Sequence, residues 1–294
     1  MKIGGRAKYF FVAKNENDLI AKINWAKKNK IRWYVIGDGS NLIPSDNGFN
    51  GLIIKNEVET FKKSGNKIFV GTGYNLLKFI EKINKNGLCG MEKMAGIPGS
   101  VGGAIYGCAG AYGQEIKDFL VKIDIFDGKQ VRQLSKNQLG FGYRMSIFKK
   151  EKKWIILGAQ FEFKKANSKK LAKISQEIIK LREQKYWSGL LCPGSFFKNI
   201  LIKNIEPEVL RKKFLLKIPK DKIMHGKVSS GYLLESVDAK GMKFGNIQVA
   251  NHHANLIYNR GGGKSSEVTK LSKILNERVA KKFGISLEEE VQFI

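Results

Sequence analysis

Ala95-Gly96-Ile97-Pro98-Gly99-Ser100-Val101-Gly102-Gly103-Ala104 holds four glycines in ten residues, and Gly107, Gly110 and Gly113 follow close behind it. Glycine at this density costs chain entropy, so a backbone carries it where something must approach closely or where the turns are very tight. A second loop of the same kind, Gly37-Asp38-Gly39-Ser40-Asn41, follows the apolar and aromatic run Ile31 to Ile36, which reads as a strand. Two such loops can present backbone N–H groups to a pyrophosphate without the helix of a Rossmann unit. Tight turns in a packed α+β unit are the plainer alternative.

Outward from these loops the chain alternates short strands and amphipathic helices. Leu19 to Lys30 has helical period with Asn17 or Asp18 as cap, Leu52 to Ile54 and Lys67 to Val70 read as strands, and Asn75 to Lys85 reads as a helix closed near Gly87. Alternation at Val121, Ile123 and Ile125, and again from Trp154 to Phe163, gives further strands. A polar stretch from Lys164 to Lys170 precedes a helix from Leu171 to about Lys185, and a domain boundary is expected there. Beyond it, Gly231 to Val237 reads as a helix, Gln248-Val249 and Ala254 to Tyr258 as strands, and Ser265 to Phe283 as a long helix with Val268, Leu271, Ile274, Leu275 and Val279 on one face. Leu287 to Ile294 reads as a last strand.

The composition suits a folded protein of two or more units: 294 residues, 43% hydrophobic and 11% aromatic, with no low-complexity tract. The 53 Lys+Arg against 26 Asp+Glu give a formal charge of +27, which would attract phosphates of any kind. Pairs such as Lys27-Lys28, Lys62-Lys63 and Lys281-Lys282 are scattered rather than gathered in one stripe, so solvated faces are expected and a nucleic-acid partner is not. Cys89, Cys108 and Cys192 form no Cys-x-x-Cys pair, which argues for a reducing compartment. No apolar run reaches the roughly 20 residues of a membrane span, and Met1 to Tyr9 does not read as a signal peptide. A cytoplasmic address with no membrane partner is expected.

Several motifs fail on spacing. Gly263-Lys264-Ser265 ends like a Walker A loop, but Tyr258 stands where its first glycine belongs. Gly37-x-Gly39 opens like a dinucleotide fingerprint, but Leu42 occupies the third glycine position and Pro44 the start of the helix. His225, His252 and His253 show no metal-ligand spacing, so no metal is expected, and no Gly-x-Ser-x-Gly elbow offers a serine nucleophile.

Seven motifs, the two glycine loops among them, occur in a fixed order. They are Ile3-Gly4-Gly5-x-Ala7, Gly37-x-Gly39-Ser40-Asn41-Leu42, Ala95 to Ala104, Gly110-Ala111-Tyr112-Gly113, Tyr143-Arg144-x-Ser146-x-Phe148-Lys149, Gly194-Ser195-Phe196-Phe197-Lys198-Asn199 and Leu287-Glu288-x-Glu290-Val291. In this order and spacing the chain resembles the UDP-N-acetylenolpyruvoylglucosamine reductase family over nearly its whole length. The resemblance implies an α+β fold with a vanillyl-alcohol-oxidase/PCMH-type FAD-binding region of two subdomains, here 1–60 and 61–165. An α+β substrate-binding domain, 166–294, follows, with its C-terminal strand returning to the active site. The short segment between Arg144 and Ser195 resembles the branch without the extra tyrosine-bearing loop that covers substrate.

The family's reaction is an NADPH-dependent reduction, through FAD, of an enolpyruvyl group on a UDP-sugar in peptidoglycan precursor synthesis. By resemblance, Gly37, Asp38, Gly39, Ser40, Asn41 and Leu42 hold FAD together with Gly96, Ile97, Pro98, Gly99, Ser100, Gly102, Gly103 and Ala104. Arg144 matches the arginine that polarises the substrate carboxylate, Ser195 the proton donor to the α-carbon, and Glu290 the carboxylate assisting at the developing charge. A serine needs a cationic neighbour for this work, with Lys185 and Lys198 as candidates; Asn199 and His253 match positions near substrate. Cys108 stands where the family commonly has asparagine, Trp187 near a usual proline and Ala250 near a usual serine. Small-molecule substrates and a monomer are expected. An oxygen-using flavin oxidase of the same FAD-binding class is the alternative.

Overall fold

Asn15 accepts the Asp18 N–H at 2.9 Å and so begins the first helix, α1 (Glu16–Lys28), ahead of the caps expected at Asn17 or Asp18. The computed structural model describes residues 1–294. Its contacts divide the chain into a larger unit, Ala7–Ser40 with Asn50–Tyr186, and a smaller one, Met1–Arg6 with Asn41–Phe49 and Trp187–Ile294.

In the larger unit, strands Ala7–Ala13, Phe49–Asn56 and Trp33–Ile36 lie side by side in that order, the last two parallel with Trp33 opposite Leu52. Leu19, Ile23 and Ala26 of α1 are fully buried in one core cluster with Ala13, Leu52 and Ile54. A second sheet is antiparallel, in the order Val131–Ser135, Leu120–Phe126, Ile155–Glu162, Lys67–Gly71, Phe61–Ser64. Its core centres on Phe79 of α2 (Leu76–Lys85), whose ring lies 5.5 to 6.4 Å from those of Phe61, Tyr74, Phe161 and Phe163. Helix α3 (Val101–Gly107) continues the second glycine loop.

Helix α4 (Ser168–Lys185) also belongs to the larger unit, whereas the partition at 166 assigns it to the substrate-binding domain. The reason is a buried polar link: Ser175 accepts the Asn84 amide at 2.8 Å and donates to the Glu92 carbonyl at 3.0 Å, tying α4 to α2 and to the turn that leads into Gly96. Leu171 and Ile178 are buried from the same helix.

The smaller unit holds α5 (Glu208–Leu215), α6 (Ser230–Glu235) and α7 (Ser265–Phe283), with two small antiparallel sheets, Ile200–Leu201/Lys227–Val228/Ile223–Met224 and Lys243–Phe244/Ile247–Val249/Ile257–Asn259. Helix α7 buries Val268, Leu271, Leu275, Val279 and Phe283, as its period implies, while Ile274 is half-buried. The expected last strand is regular only over Gln292–Phe293, parallel to Leu42–Ile43. Upstream, Glu288 to Glu290 is extended and pairs instead with the segment around Phe197.

Asp46 fastens the Asn41–Phe49 excursion to α7 by accepting the Ser265 N–H at 2.6 Å and the Ser266 N–H at 3.0 Å. Desolvation raises its pKa, but the Ser266 and Ser265 N–H groups and hydroxyls outweigh that and hold the carboxyl at about 2. With the folded value below the ordinary 3.8, the carboxylate stabilises the fold above that pH, and the contribution is lost as pH falls through about 2. Asp46→Ala is therefore expected to cost about 0.5–2 kcal/mol near neutral pH. The Tm difference from wild type should close progressively below pH 4; a difference independent of pH would contradict this capping role.

Candidate active site

The two glycine loops of the larger unit meet directly. A Cβ on Gly37 would fall 2.3 Å from Ser100 Oγ, and one on Gly99 would fall 2.9 Å from Ser40 Oγ. Gly99 also has φ +117°, a conformation that L side chains rarely adopt. Ser40 Oγ donates to the Pro98 carbonyl at 3.2 Å, Asn75 Nδ2 reaches Asp38 Oδ2 at 3.4 Å, and Asn75 bridges Ser100. Ser100 Oγ caps α3 through the Gly103 N–H at 3.2 Å. The first two N–H groups of that helix are engaged internally, Val101 to Tyr74 O and Gly102 to Thr72 O, both at 2.9 Å.

Arg144 is placed in the same unit by a strained cluster. Its φ is +53°, and Cys108 (+46°) and Tyr112 (+50°) share the left-handed region, which non-glycine residues enter at a cost of order 1–3 kcal/mol. The guanidinium donates to the Cys108 carbonyl at 3.3 Å and the Gly110 carbonyl at 3.0 Å, and lies 5.2 Å from the Tyr143 ring centre. Ser146 Oγ donates to Tyr106 O at 2.7 Å and Lys149 Nζ to Arg144 O at 2.8 Å, so the whole segment is fastened to the end of α3. Burial pushes the Cys108 thiol up to about 11, with Glu115 adding to the shift and Lys117 and Arg144 opposing it. That makes it a packed thiol and not a nucleophile. Burial, assisted by Tyr34, pushes the Tyr106 phenol up to about 12.

The smaller unit presents Ser195 and Glu290 on adjoining extended segments. Ser195 bridges Leu256, and Phe197 bridges Glu289. The Glu290 N–H donates to Phe196 O and the Lys198 N–H to Glu288 O, both at 2.8 Å. Asn41 Nδ2 donates to Glu290 O at 3.0 Å, while Gln292 N–H donates to Asn41 O at 3.0 Å. Lys198 is buried and ion-paired with Glu288. Ser230 Oγ donates to Lys198 O, and Asn199 Oδ1 accepts the Ser230 N–H at 3.2 Å. His253 Nδ1 accepts the Asn255 N–H at 3.1 Å.

The residues expected from the sequence therefore fall into two groups. Gly37 to Ser40, Gly96 to Ala104, Arg144 and Lys185 belong to the larger unit; Asn41, Leu42, Ser195, Lys198, Asn199, His253 and Glu290 belong to the smaller one. Within the smaller unit, Ser195, Lys198, Asn199 and Glu290 are brought together on paired backbone. Asn41 donates its side-chain amide to the Glu290 carbonyl. Of the two lysines considered for Ser195, Lys198 has its charge matched by Glu288, and Lys185 holds its ammonium 5.0 Å from the Tyr186 ring centre. Ser230 and Asn255 lie in none of the motifs, and the motif that contains Glu288 gives no sign of its pairing with Lys198. A partner that acts by bonding to another segment's backbone leaves no periodic or spacing signal.

A family model for the C-terminal domain of UDP-N-acetylenolpyruvoylglucosamine reductase matches residues 188–294, and one for an FAD binding domain matches residues 7–132. The UDP-N-acetylenolpyruvoylglucosamine reductase of Solibacter usitatus is 40% identical over 292 residues, 99% of this chain and 92% of that protein. The one from Fervidobacterium nodosum is 34% identical over 99% of this chain and 87% of its own length. The solved reductase structure from Thermus caldophilus has the same fold, with a TM-score of 0.72 at 24% identity over 96% of this chain and 90% of that one. Matching relatives from end to end, the chain belongs to the UDP-N-acetylenolpyruvoylglucosamine reductase family.

Proposed function

We propose that this protein reduces UDP-N-acetylglucosamine enolpyruvate to UDP-N-acetylmuramate for peptidoglycan precursor synthesis, with FAD as resident cofactor and NADPH as reductant. The observation that supports it most directly is the end-to-end family match, joined to a pair of glycine loops built for a nucleotide. The residues present fit FAD: Gly37 and Gly99 let the two loops close on each other's serines, and loops so rich in glycine would offer a pyrophosphate their backbone N–H groups. FAD supplies the hydride chemistry when bound, and Gly37 to Ser40 with Gly96 to Ala104 would hold it.

The side chains have separate tasks. Hydride addition to an unsaturated carboxylate moves negative charge onto that carboxylate, and Arg144 supplies a fixed positive fork for it. Ser195 is assigned the proton donated to the α-carbon, and Glu290 a proton shared near the developing charge. Asn199 and His253 are assigned to substrate binding, with Lys185 and Lys198 as the cations that support Ser195. No helix is long and apolar enough to cross a membrane. A cytoplasmic monomer acting on small molecules, without nucleic acid, completes the proposal.

Two experiments test it. Gly99→Ala, which adds a Cβ beside Ser40 at φ +117°, is expected to weaken FAD retention by about tenfold or more, read as flavin absorbance per mole of protein; full retention would place the cofactor elsewhere. In the second, NADPH added anaerobically bleaches the wild-type flavin and UDP-N-acetylglucosamine enolpyruvate restores it. Ser195→Ala should leave bleaching nearly intact and slow the restoration by about 100-fold or more. Equal losses in both halves would remove the proton-donor role, and wild-type flavin that the substrate does not reoxidise would refute the reductase assignment.

A further inference from the structure

Ser195, Asn199, Glu290 and His253 have roles in the proposed reduction, while the residue that ties their segments together has none. Asn255 is 4% exposed, and its backbone and its side-chain amide are both engaged. Oδ1 accepts the Phe197 N–H at 2.8 Å and Nδ2 donates to the Phe197 carbonyl at 2.8 Å. Its main-chain carbonyl accepts the Phe196 N–H at 3.0 Å, and its N–H donates to His253 Nδ1 at 3.1 Å.

A carboxamide bonded twice to one residue's backbone does the work of a neighbouring strand. Phe197 spends its N–H and C=O on Asn255, while the flanking Phe196 C=O and Lys198 N–H go to Glu290 and Glu288, the alternation by which a strand uses both edges. Phe197 is 1% exposed, so without the amide both of its backbone groups would be buried and unpaired.

We propose that Asn255 is a positioning residue for the substrate half of the reaction, setting the register of the Ser195 segment through one buried amide. The proposal rests on the reductase reading given above. Loss of this amide displaces the segment that carries the proton donor while leaving the glycine cradle of the other unit untouched.

The test reduces each FAD-loaded protein anaerobically with dithionite and follows flavin reoxidation over a range of UDP-N-acetylglucosamine enolpyruvate concentrations. Asn255→Ala is compared with Asn259→Ala, a control that removes another buried amide of the same unit, 3% exposed, bonded to Met1 O at 3.0 Å and to the Gly261 and Gly263 N–H groups at 2.9 Å. The limiting rate is expected to fall at least about tenfold in Asn255→Ala and to stay within about twofold of wild type in Asn259→Ala at a temperature where both are folded. Should Asn255→Ala not fold, the isosteric Asn255→Asp, which keeps the Phe197 N–H bond and loses the donor to its carbonyl, is held to the same criterion. A folded, flavin-replete Asn255 variant with the wild-type limiting rate overturns the proposal, as does a matching loss in Asn259→Ala. Wild-type protein that the substrate does not reoxidise overturns the reductase reading and the proposal with it.

Discussion

Gly37 and Gly99 lack side chains at the two points where the glycine loops touch, and what the larger unit offers a nucleotide follows from that contact. Each loop supplies a serine that holds the other or its neighbour: Ser40 bonds the Pro98 carbonyl, and Ser100 caps the helix that the second loop enters. Asn75 connects both loops to the start of α2. The arrangement differs from a Rossmann unit in one physical respect. The first two N–H groups of α3 are spent on the Tyr74 and Thr72 carbonyls, so anion contacts would come from the loop backbones and not from a helix end.

Much of this was legible in the sequence because glycine spacing and apolar period are local signals. The helix over Ser265–Phe283 falls where the periodicity puts it, and the strand over Lys67–Gly71 extends the expected run by one residue. Non-local bonding is what the sequence hides. The segment from Leu287 looks like one strand by composition, yet only Gln292–Phe293 is regular, because Glu288 to Glu290 pairs with Phe196 to Lys198 nearly a hundred residues away. Likewise, α4 follows a polar stretch that resembles a linker, and only the Asn84, Ser175 and Glu92 contacts place it with the helices before it. Asn41 carries a bond of the same hidden kind, its amide fastening the Glu290 carbonyl.

The charge of +27 is carried mainly by exposed lysines, and Lys27, Lys28, Lys62, Lys63, Lys281 and Lys282 are all exposed. Lys198 departs from the rest. It and Glu92 are the buried charged residues, and burying an ammonium costs several kcal/mol unless it is paired and hydrogen-bonded. Glu288 provides the partner, and the Lys198 backbone is bonded on both sides, N–H to Glu288 and C=O to Ser230. One lysine thus does different work from the other basic residues, and net charge alone could not distinguish it.

The two groups proposed to act on the substrate's carboxylate end are held still by different means. Ser195 and Glu290 lie on extended segments whose backbone groups bond to each other and to Asn255, so rigidity there comes from many ordinary hydrogen bonds. Arg144 comes instead from a left-handed position of its own and bonds a separate loop in which Cys108 and Tyr112 are also left-handed, conformations that persist only because surrounding bonds over-determine them. Its guanidinium already donates to the Cys108 and Gly110 carbonyls, so little reorientation would remain when negative charge develops on a bound carboxylate. A lysine at this position would lose the planar fork that spans two carbonyls, and with it the reason for the strain. The cost of the left-handed turn and the identity of the side chain therefore belong to one constraint.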